Sequence, residues 1–398
     1  MHLEKKQFCV VLLTAILSVA RFATAANSVW VVVPSANPDA QNVLQAVSGG
    51  SSSDIWAVGY VINSEPSGDQ LTLAEHWDGT SWTVFPTPSP GNSECAQLWQ
   101  NPLNSVAEVS TDNVWAVGFY CGPSEAGGGN EQLTLIEQWN GSEWNVVTSP
   151  NPSSYAGLYG VAAVSARDVW AVGQNYGSTE PSTLIEHWNG AKWSIVPSPN
   201  PAGRTAYLGA VSAVSATDIW AVGYSGASTA PYLIPLIEHY NGSTWSIVSS
   251  PYVPSSRFNQ LNGVMAISAN DVWAVGYQNE NGNGQDGQGL IEHWNGTKWN
   301  LVNSPVVGDV AYLYSITGTS STNAWAVGYL QNSELDVLPI IEQWNGRVWK
   351  VVTSPDPGGA AQFFGATTTQ GQAWAVGTYS IQIGSWVNDP LTLTIESN

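Results

Sequence analysis

The sequence is poor in charge, and poorer still in positive charge. Asp, Glu, Lys and Arg make up 10% of its 398 residues, against roughly a quarter in an average soluble protein. Lys plus Arg number 10 and Asp plus Glu 30, for a formal charge of −20. A nucleic-acid binder held by counterion release needs a basic face, which this chain cannot supply. An anionic lipid surface is excluded as a partner on the same ground. Helical periodicity is missing beyond the N-terminal segment, and no later stretch stays apolar for the ~18 residues that a membrane anchor needs. Disorder is excluded too, because 43% apolar and 11% aromatic residues bury enough surface to offset chain entropy.

Of the segments that are present, the first reads as an address. Lys5 and Lys6 precede an apolar run from Phe8 to Ala20, and Ala23-Thr24-Ala25 offers small residues for a signal peptidase. The run is too short to span a bilayer, so residues 1–25 are expected to be a cleaved secretory signal, with 26–398 as the mature chain. The protein is then secreted, periplasmic or held at the cell surface. Cys9 leaves with the signal. In an oxidising compartment Cys95 and Cys121 are expected to pair as one disulfide, the alternative being two separate buried thiols.

The remainder is one motif written seven times. Trp-Ala-Val-Gly begins at Trp56, Trp115, Trp170, Trp220, Trp273, Trp325 and Trp374. Twelve residues before the first six stands a leucine (Leu44, Leu103, Leu158, Leu208, Leu261, Leu313), and Phe363 takes that place in the seventh. Downstream comes a glutamate: Glu75, Glu137, Glu186, Glu238, Glu292, Glu342 and Glu396. An aromatic lies two residues beyond the first six of these, and five residues later a second tryptophan, Trp82 to Trp349. Each unit reads as four short strands rich in Val, Ile and Trp, as in Leu208–Val214, Ile219–Tyr224, Leu236–Tyr240 and Trp245–Val248. Asn-Gly or Asp-Gly separates the third strand from the fourth, a strong hairpin signal. Prolines follow the fourth and stop it.

The two ends of the chain complement each other. The seventh unit stops at Glu396-Ser-Asn398 without a fourth strand, whereas Val29–Val33 is an orphan fourth strand followed by the usual Pro-Ser exit. The expectation is an all-β, closed seven-bladed β-propeller with four antiparallel strands per blade, the last blade completed by the N-terminal strand. A strand ending in glycine, a variable loop, an aromatic, a tight turn and a tryptophan together resemble the kelch repeat across essentially the whole mature chain. One glycine, as at Gly59 or Gly223, stands here where kelch repeats usually carry two. The resemblance implies a protein-binding platform, with the copper enzyme galactose oxidase as its known enzymatic branch.

Groups that recur seven times are read first as scaffold. Trp, Gly and Glu are expected to pack blade on blade, each glutamate accepting indole or backbone N–H bonds. His76, His187, His239 and His293 all follow a repeat glutamate, and Gln138 and Gln343 replace them elsewhere. Interchange with glutamine suits a hydrogen-bonding side chain and not a copper ligand or a general base. No metal site is expected, apart from a calcium-like oxygen cluster at Asn279, Asn281, Asn283 and Asp286 that reads more simply as a loop. No carboxylate pair stands out for glycoside chemistry. The connections from second to third strand and from fourth to next first strand vary in length, and antiparallel pairing puts both on one rim. That rim is the candidate binding face. It carries Trp99 and Trp386, the aromatics Tyr60, Phe119, Tyr120, Tyr224, Tyr277, Tyr329 and Tyr379 that follow the strand glycines, and both mature cysteines. The Asn-Gly-Ser/Thr sequons at Asn140, Asn241 and Asn295 fall on the opposite rim. The expected function is a monomeric binding module for an extracellular protein or polysaccharide. The alternative is a carbohydrate-active enzyme, a glycosidase or lyase, using carboxylates at the channel mouth.

Overall fold

The computed structural model describes residues 30–397 except 40, 64–68, 92–100, 124–129, 178–179, 228–229, 253–255, 280–286, 306–309, 333 and 384–385; at 230–231 and 381–397 only the backbone is described. Among the described residues every regular element is a strand. Strand β1 (Trp30–Val33) precedes a first unit of β2 (Gln41–Ser51), β3 (Asp54–Ile62), β4 (Gln70–Trp77) and β5 (Trp82–Phe85). The second unit is β6 (Leu103–Ser110), β7 (Asn113–Pro123), β8 (Asn130–Trp139) and β9 (Trp144–Val146). The third is β10 (Ala156–Ser165), β11 (Asp168–Tyr176), β12 (Pro181–Trp188) and β13 (Trp193–Ile195). The fourth is β14 (Thr205–Ser215), β15 (Asp218–Ala227), β16 (Ala230–Tyr240) and β17 (Trp245–Val248). The fifth is β18 (Phe258–Ser268), β19 (Asp271–Asn279), β20 (Gln288–Trp294) and β21 (Trp299–Val302). The sixth is β22 (Val310–Ser320), β23 (Asn323–Gln331), β24 (Val337–Trp344) and β25 (Trp349–Val352). Then come β26 (Ala361–Thr369), β27 (Gln372–Ile383) and β28 (Trp386–Ser397).

Each unit is a four-stranded antiparallel sheet in chain order. A single parallel bridge, Leu233 to Phe258, merges the fourth and fifth sheets into one of eight strands. β26–β28 take β1 as their fourth strand, Trp30 lying opposite Ser397 and Val33 opposite Thr394. Second and third strands reach further toward the variable loops than the sequence pattern indicates; β15 and β16 extend to Ala227 and Ala230.

Hydrophobic clusters lie between consecutive units. The strand-β3 Trp56 packs on Trp139 and Trp144 of the second unit, with ring centroids 5.0 and 5.2 Å away. Trp220 contacts Trp294 and Trp299 in the same way, and Trp374 contacts Trp77 and Trp82 of the first unit. Tilted and edge-on geometries of this kind let large rings fill a wedge between sheets. First strands also meet their neighbours in succession: β2 touches β6, β6 touches β10, and so on to β22 against β26 and β26 against β2.

The turns from third to fourth strand show why Asn-Gly recurs. The Asn241 Oδ1 accepts the backbone N–H groups of Ser243 and Thr244 at 3.0 and 3.1 Å, while Gly242 takes a φ of +90° that side-chain-bearing residues rarely adopt.

Candidate functional site

The site is built by one irregularity repeated in every first strand. The ladder between first and second strands slips after the leucine, between Leu44 and Ala46, Leu103 and Ser105, Leu158 and Gly160, and at every equivalent position to Phe363 and Gly365. The skipped residue of such a β-bulge leaves the ladder and its side chain is re-aimed. Here the skipped residues are Gln45, Asn104, Tyr159, Gly209, Asn262, Tyr314 and Phe364, and together they line one cavity.

The bulge explains the glycine of Trp-Ala-Val-Gly. It drives the carbonyl of the residue before the leucine against the second strand: a Cβ at Gly59 would overlap the oxygen of Val43, and one at Gly223 that of Tyr207. The glycine therefore serves a close approach inside each sheet, where the sequence pattern suggested packing between blades.

The cavity measures about 280 Å³ and is lined by the bulge residues together with Tyr207 and Gln260. Those two precede the leucines Leu208 and Leu261, so this mouth opens on the rim that carries the length-variable loops. A second cavity of about 200 Å³ continues past the same ring, between later first-strand residues such as Ala46, Ser105, Gly160 and Ala210. The mouth is neutral, for its described lining holds no carboxylate, histidine, cysteine, lysine or arginine. Two aromatic arcs reach it, the first through Tyr159 and Tyr207, the second through Tyr314 and Phe364. In one, Phe119, Tyr159, Tyr207 and Tyr224 follow one another at 6.0, 4.9 and 4.9 Å. In the other, Tyr277, Tyr312, Tyr329, Tyr314 and Phe364 follow at 4.4, 5.0, 5.9 and 5.4 Å. Amides fill the positions between them. The Asn104 Nδ2 donates to the Leu158 carbonyl and the Asn262 Nδ2 to that of Leu313, each at 2.8 Å. Gln260 Nε2 donates to Asn262 Oδ1 at 2.6 Å and its Oε1 accepts the Tyr277 hydroxyl at 3.2 Å.

Burial keeps these phenols protonated. It pushes Tyr277 up to about 12, with the neighbouring tyrosines adding to the effect, and raises Tyr159, Tyr207, Tyr224, Tyr314 and Tyr329 as well. Near neutral pH the hydroxyls are therefore uncharged and both donate and accept hydrogen bonds.

The sequence-derived candidates are distributed as follows. Tyr224, Tyr277 and Tyr329 stand in the aromatic arcs. Phe119 is buried beside Tyr159. Tyr120 packs on the core between the first and second units, and Tyr379 on that between the sixth and seventh. Tyr60 is half-buried on β3, and burial raises its phenol. Trp99 and Cys95 lie outside the described residues, and so do the side chains of Trp386 and Glu396; Cys121 is buried on β7. Asn279 closes β19 and is buried, while Asn281, Asn283 and Asp286 lie outside the description. Among the described residues no group of three or more His, Cys, Asp or Glu is placed to hold a metal.

The repeat glutamates Glu75, Glu137, Glu186, Glu238, Glu292 and Glu342 are wholly buried. For all of these but Glu137 the partner is a serine hydroxyl, where an indole or backbone N–H is the sequence expectation. Ser149 donates to Glu186, Ser198 to Glu238, Ser250 to Glu292 and Ser304 to Glu342, each at 2.7–2.8 Å and each from the exit of the preceding unit's fourth strand. Ser35, after β1, donates to Glu75 at 2.7 Å, and the Ala36 backbone N–H joins it. Desolvation pushes these carboxyls to about 7 or 8. The histidines each meet an aspartate at 2.7–2.8 Å: His76 with Asp54, His187 with Asp168, His239 with Asp218 and His293 with Asp271. Where glutamine replaces histidine, asparagine replaces aspartate, as in Gln138–Asn113 and Gln343–Asn323. One carboxylate does break the repeat. Glu108 stands where other units carry Gly49, Ala163 or Thr368, and burial with Asp54 beside it pushes its carboxyl to about 8. It lies near the first turn of its unit, on the rim away from the mouth.

No family model matches the chain, and no curated protein does. Solved structures do resemble it. YCF48 bound to a D1 peptide matches at 12% identity over 94% of this chain and 96% of its own, with a TM-score of 0.55. YCF48 from Cyanidioschyzon merolae matches at 13% identity over 93% and 98%, TM-score 0.53. A polysaccharide lyase, ulvan lyase bound to a GlcA–Rha3S oligosaccharide, matches at 11% identity over 89% and 94%, TM-score 0.56. The likeness shows the β-propeller fold.

Proposed function

We infer that the chain is a secreted, closed seven-bladed propeller of the kelch-like kind, acting as a binding module for an extracellular protein or polysaccharide through its loop-bearing rim. The observation that carries this reading is the mouth itself: six of the seven bulged residues bring aromatic or amide side chains to one cavity whose described lining holds no charged group. Closure is supported by the β1–β28 pairing and by Trp374 packing on Trp77 and Trp82. Export is supported by the signal-like residues 1–25, and a Cys95–Cys121 disulfide fits that destination. A carbohydrate-active enzyme is the second reading, favoured by the likeness to ulvan lyase; as a glycosidase it needs a pair of carboxylates at the mouth, and the described lining has none.

A panel of secreted proteins and polysaccharides, assayed for both retention and turnover, tests the two readings. A ligand retained by the mature protein, lost on Tyr314→Ala and kept on Arg347→Ala at the opposite rim, is the expected result. Turnover abolished by a single Asp or Glu substitution would replace the binding reading with the enzymatic one. Trp99→Ala and Trp386→Ala are expected to weaken retention without lowering the thermal midpoint, and unchanged retention removes those two residues from the site.

A further inference from the structure

We propose that the mouth receives an uncharged saccharide chain end, and that it selects against uronate- or sulfate-bearing chains. The proposal rests on the reading of this rim as the binding face and names its ligand class. Two observations weigh against anionic chains. The described lining carries no cation to meet an anionic sugar, and the formal charge of −20 repels polyanions before contact. A peptide end fares no better, because its ammonium or carboxylate would be desolvated among neutral groups without a counter-charge.

What the lining does supply suits a sugar ring. Tyr159 and Tyr314, half-buried and from opposite aromatic arcs, both line the cavity, where their rings can stack on the C–H side of a pyranose. Asn104 and Asn262 pair a donor and an acceptor on each side chain, the pattern that vicinal hydroxyls complement. Both amides are fixed beforehand by their bonds to Leu158 and Leu313, so little side-chain entropy is lost on binding. At about 280 Å³ the cup sits at the small end of ligand sites, on the order of one or two sugar residues. That size fits an end inserted along the channel and not a chain lying across the rim.

Soluble neutral oligosaccharides, their uronate and sulfated counterparts, and uncapped peptides are titrated calorimetrically against the mature protein. A neutral oligosaccharide should bind, with its affinity unchanged between 50 and 500 mM salt, conditions under which polyanion binding would vary steeply (of order tenfold or more). Tyr159→Ala and Tyr314→Ala should each weaken it about tenfold or more, and Tyr159→Phe, which keeps the ring and guards against a folding defect, by less than about threefold. Retention of no neutral oligosaccharide, or retention of only anionic ones, overturns the proposal. A peptide bound and then lost in the tyrosine variants overturns the ligand class while leaving the rim as the binding face. A neutral glycan whose binding survives both alanine variants overturns the rim reading itself.

Discussion

At Gly223 a methyl group would overlap the carbonyl oxygen of Tyr207, and the same collision awaits at Gly328 beside Tyr312 and at Gly276 beside Gln260. Backbone on both sides leaves nothing able to yield. Gly223→Ala is expected to cost about 3 kcal/mol or more in denaturant unfolding, whereas Gly177→Ala, with nothing within 4 Å, should stay within ~0.5 kcal/mol. Equal effects of the two would remove the bulge from its place in the account. The glycine was legible in the sequence because it recurs after each Trp-Ala-Val. The bulge was not, since an extra residue in a strand leaves no mark on composition and only shifts which face later side chains take. Gln45, Asn104, Tyr159 and Asn262 were missed for that reason. The usable signal was a position that varies freely beside a fixed leucine.

Between units, the element that matters is the exit of each fourth strand. Its serine reaches the buried glutamate on the third strand of the next unit, as Ser198 reaches Glu238. At the first unit's exit Thr87 takes the place of that serine and bonds Thr72 on its own sheet, and the buried carboxyl of Glu137 in the second unit has no hydrogen-bond partner among the described residues. Burial holds the six carboxyls near 7–8 against an unfolded value of 4.5. From about pH 4.5 to 8 the folded protein therefore keeps protons that the unfolded chain has released. The stability contributed by these groups is full below that window and is lost as pH rises through it. The thermal midpoint should fall from pH 5 to pH 9, and a midpoint that rises over that range contradicts the assignment. Ser198→Ala should cost about 1–2 kcal/mol at pH 9, where Glu238 is charged, and less at pH 5, because a hydrogen bond to a charged oxygen is the stronger one. The Pro-Ser exits and the glutamates were both visible as repeats. Their pairing was not, since the partners are 37–42 residues apart and belong to different units.

At the scale of the whole molecule, a central mouth exists only if the units form a ring. The expectation of a ring rested on an orphan strand at Val29–Val33 and a seventh unit without a fourth strand of its own. The neutrality of the mouth was less visible, because charge was countable only over the entire chain and not by location. In the structure Arg167, Lys192, Lys298 and Arg347 belong to turns on the far rim and Lys350 to β25, Arg204 and Arg257 stand on the loop-bearing rim outside the cavity lining, and the carboxylates of the repeat are buried between units. The described lining of the cavity is left without a charged side chain. Chain continuity around the ring can be tested without any ligand. In the register of β1 on β28, Val32 lies opposite Ile395, so cysteines introduced at both positions fall within disulfide range. The account predicts an intramolecular cross-link between Val32→Cys and Ile395→Cys that raises the thermal midpoint, and none between Val32→Cys and Thr392→Cys. Failure of the first pair to cross-link within one chain, or its linking only between separate molecules, would contradict the closed ring and with it the mouth.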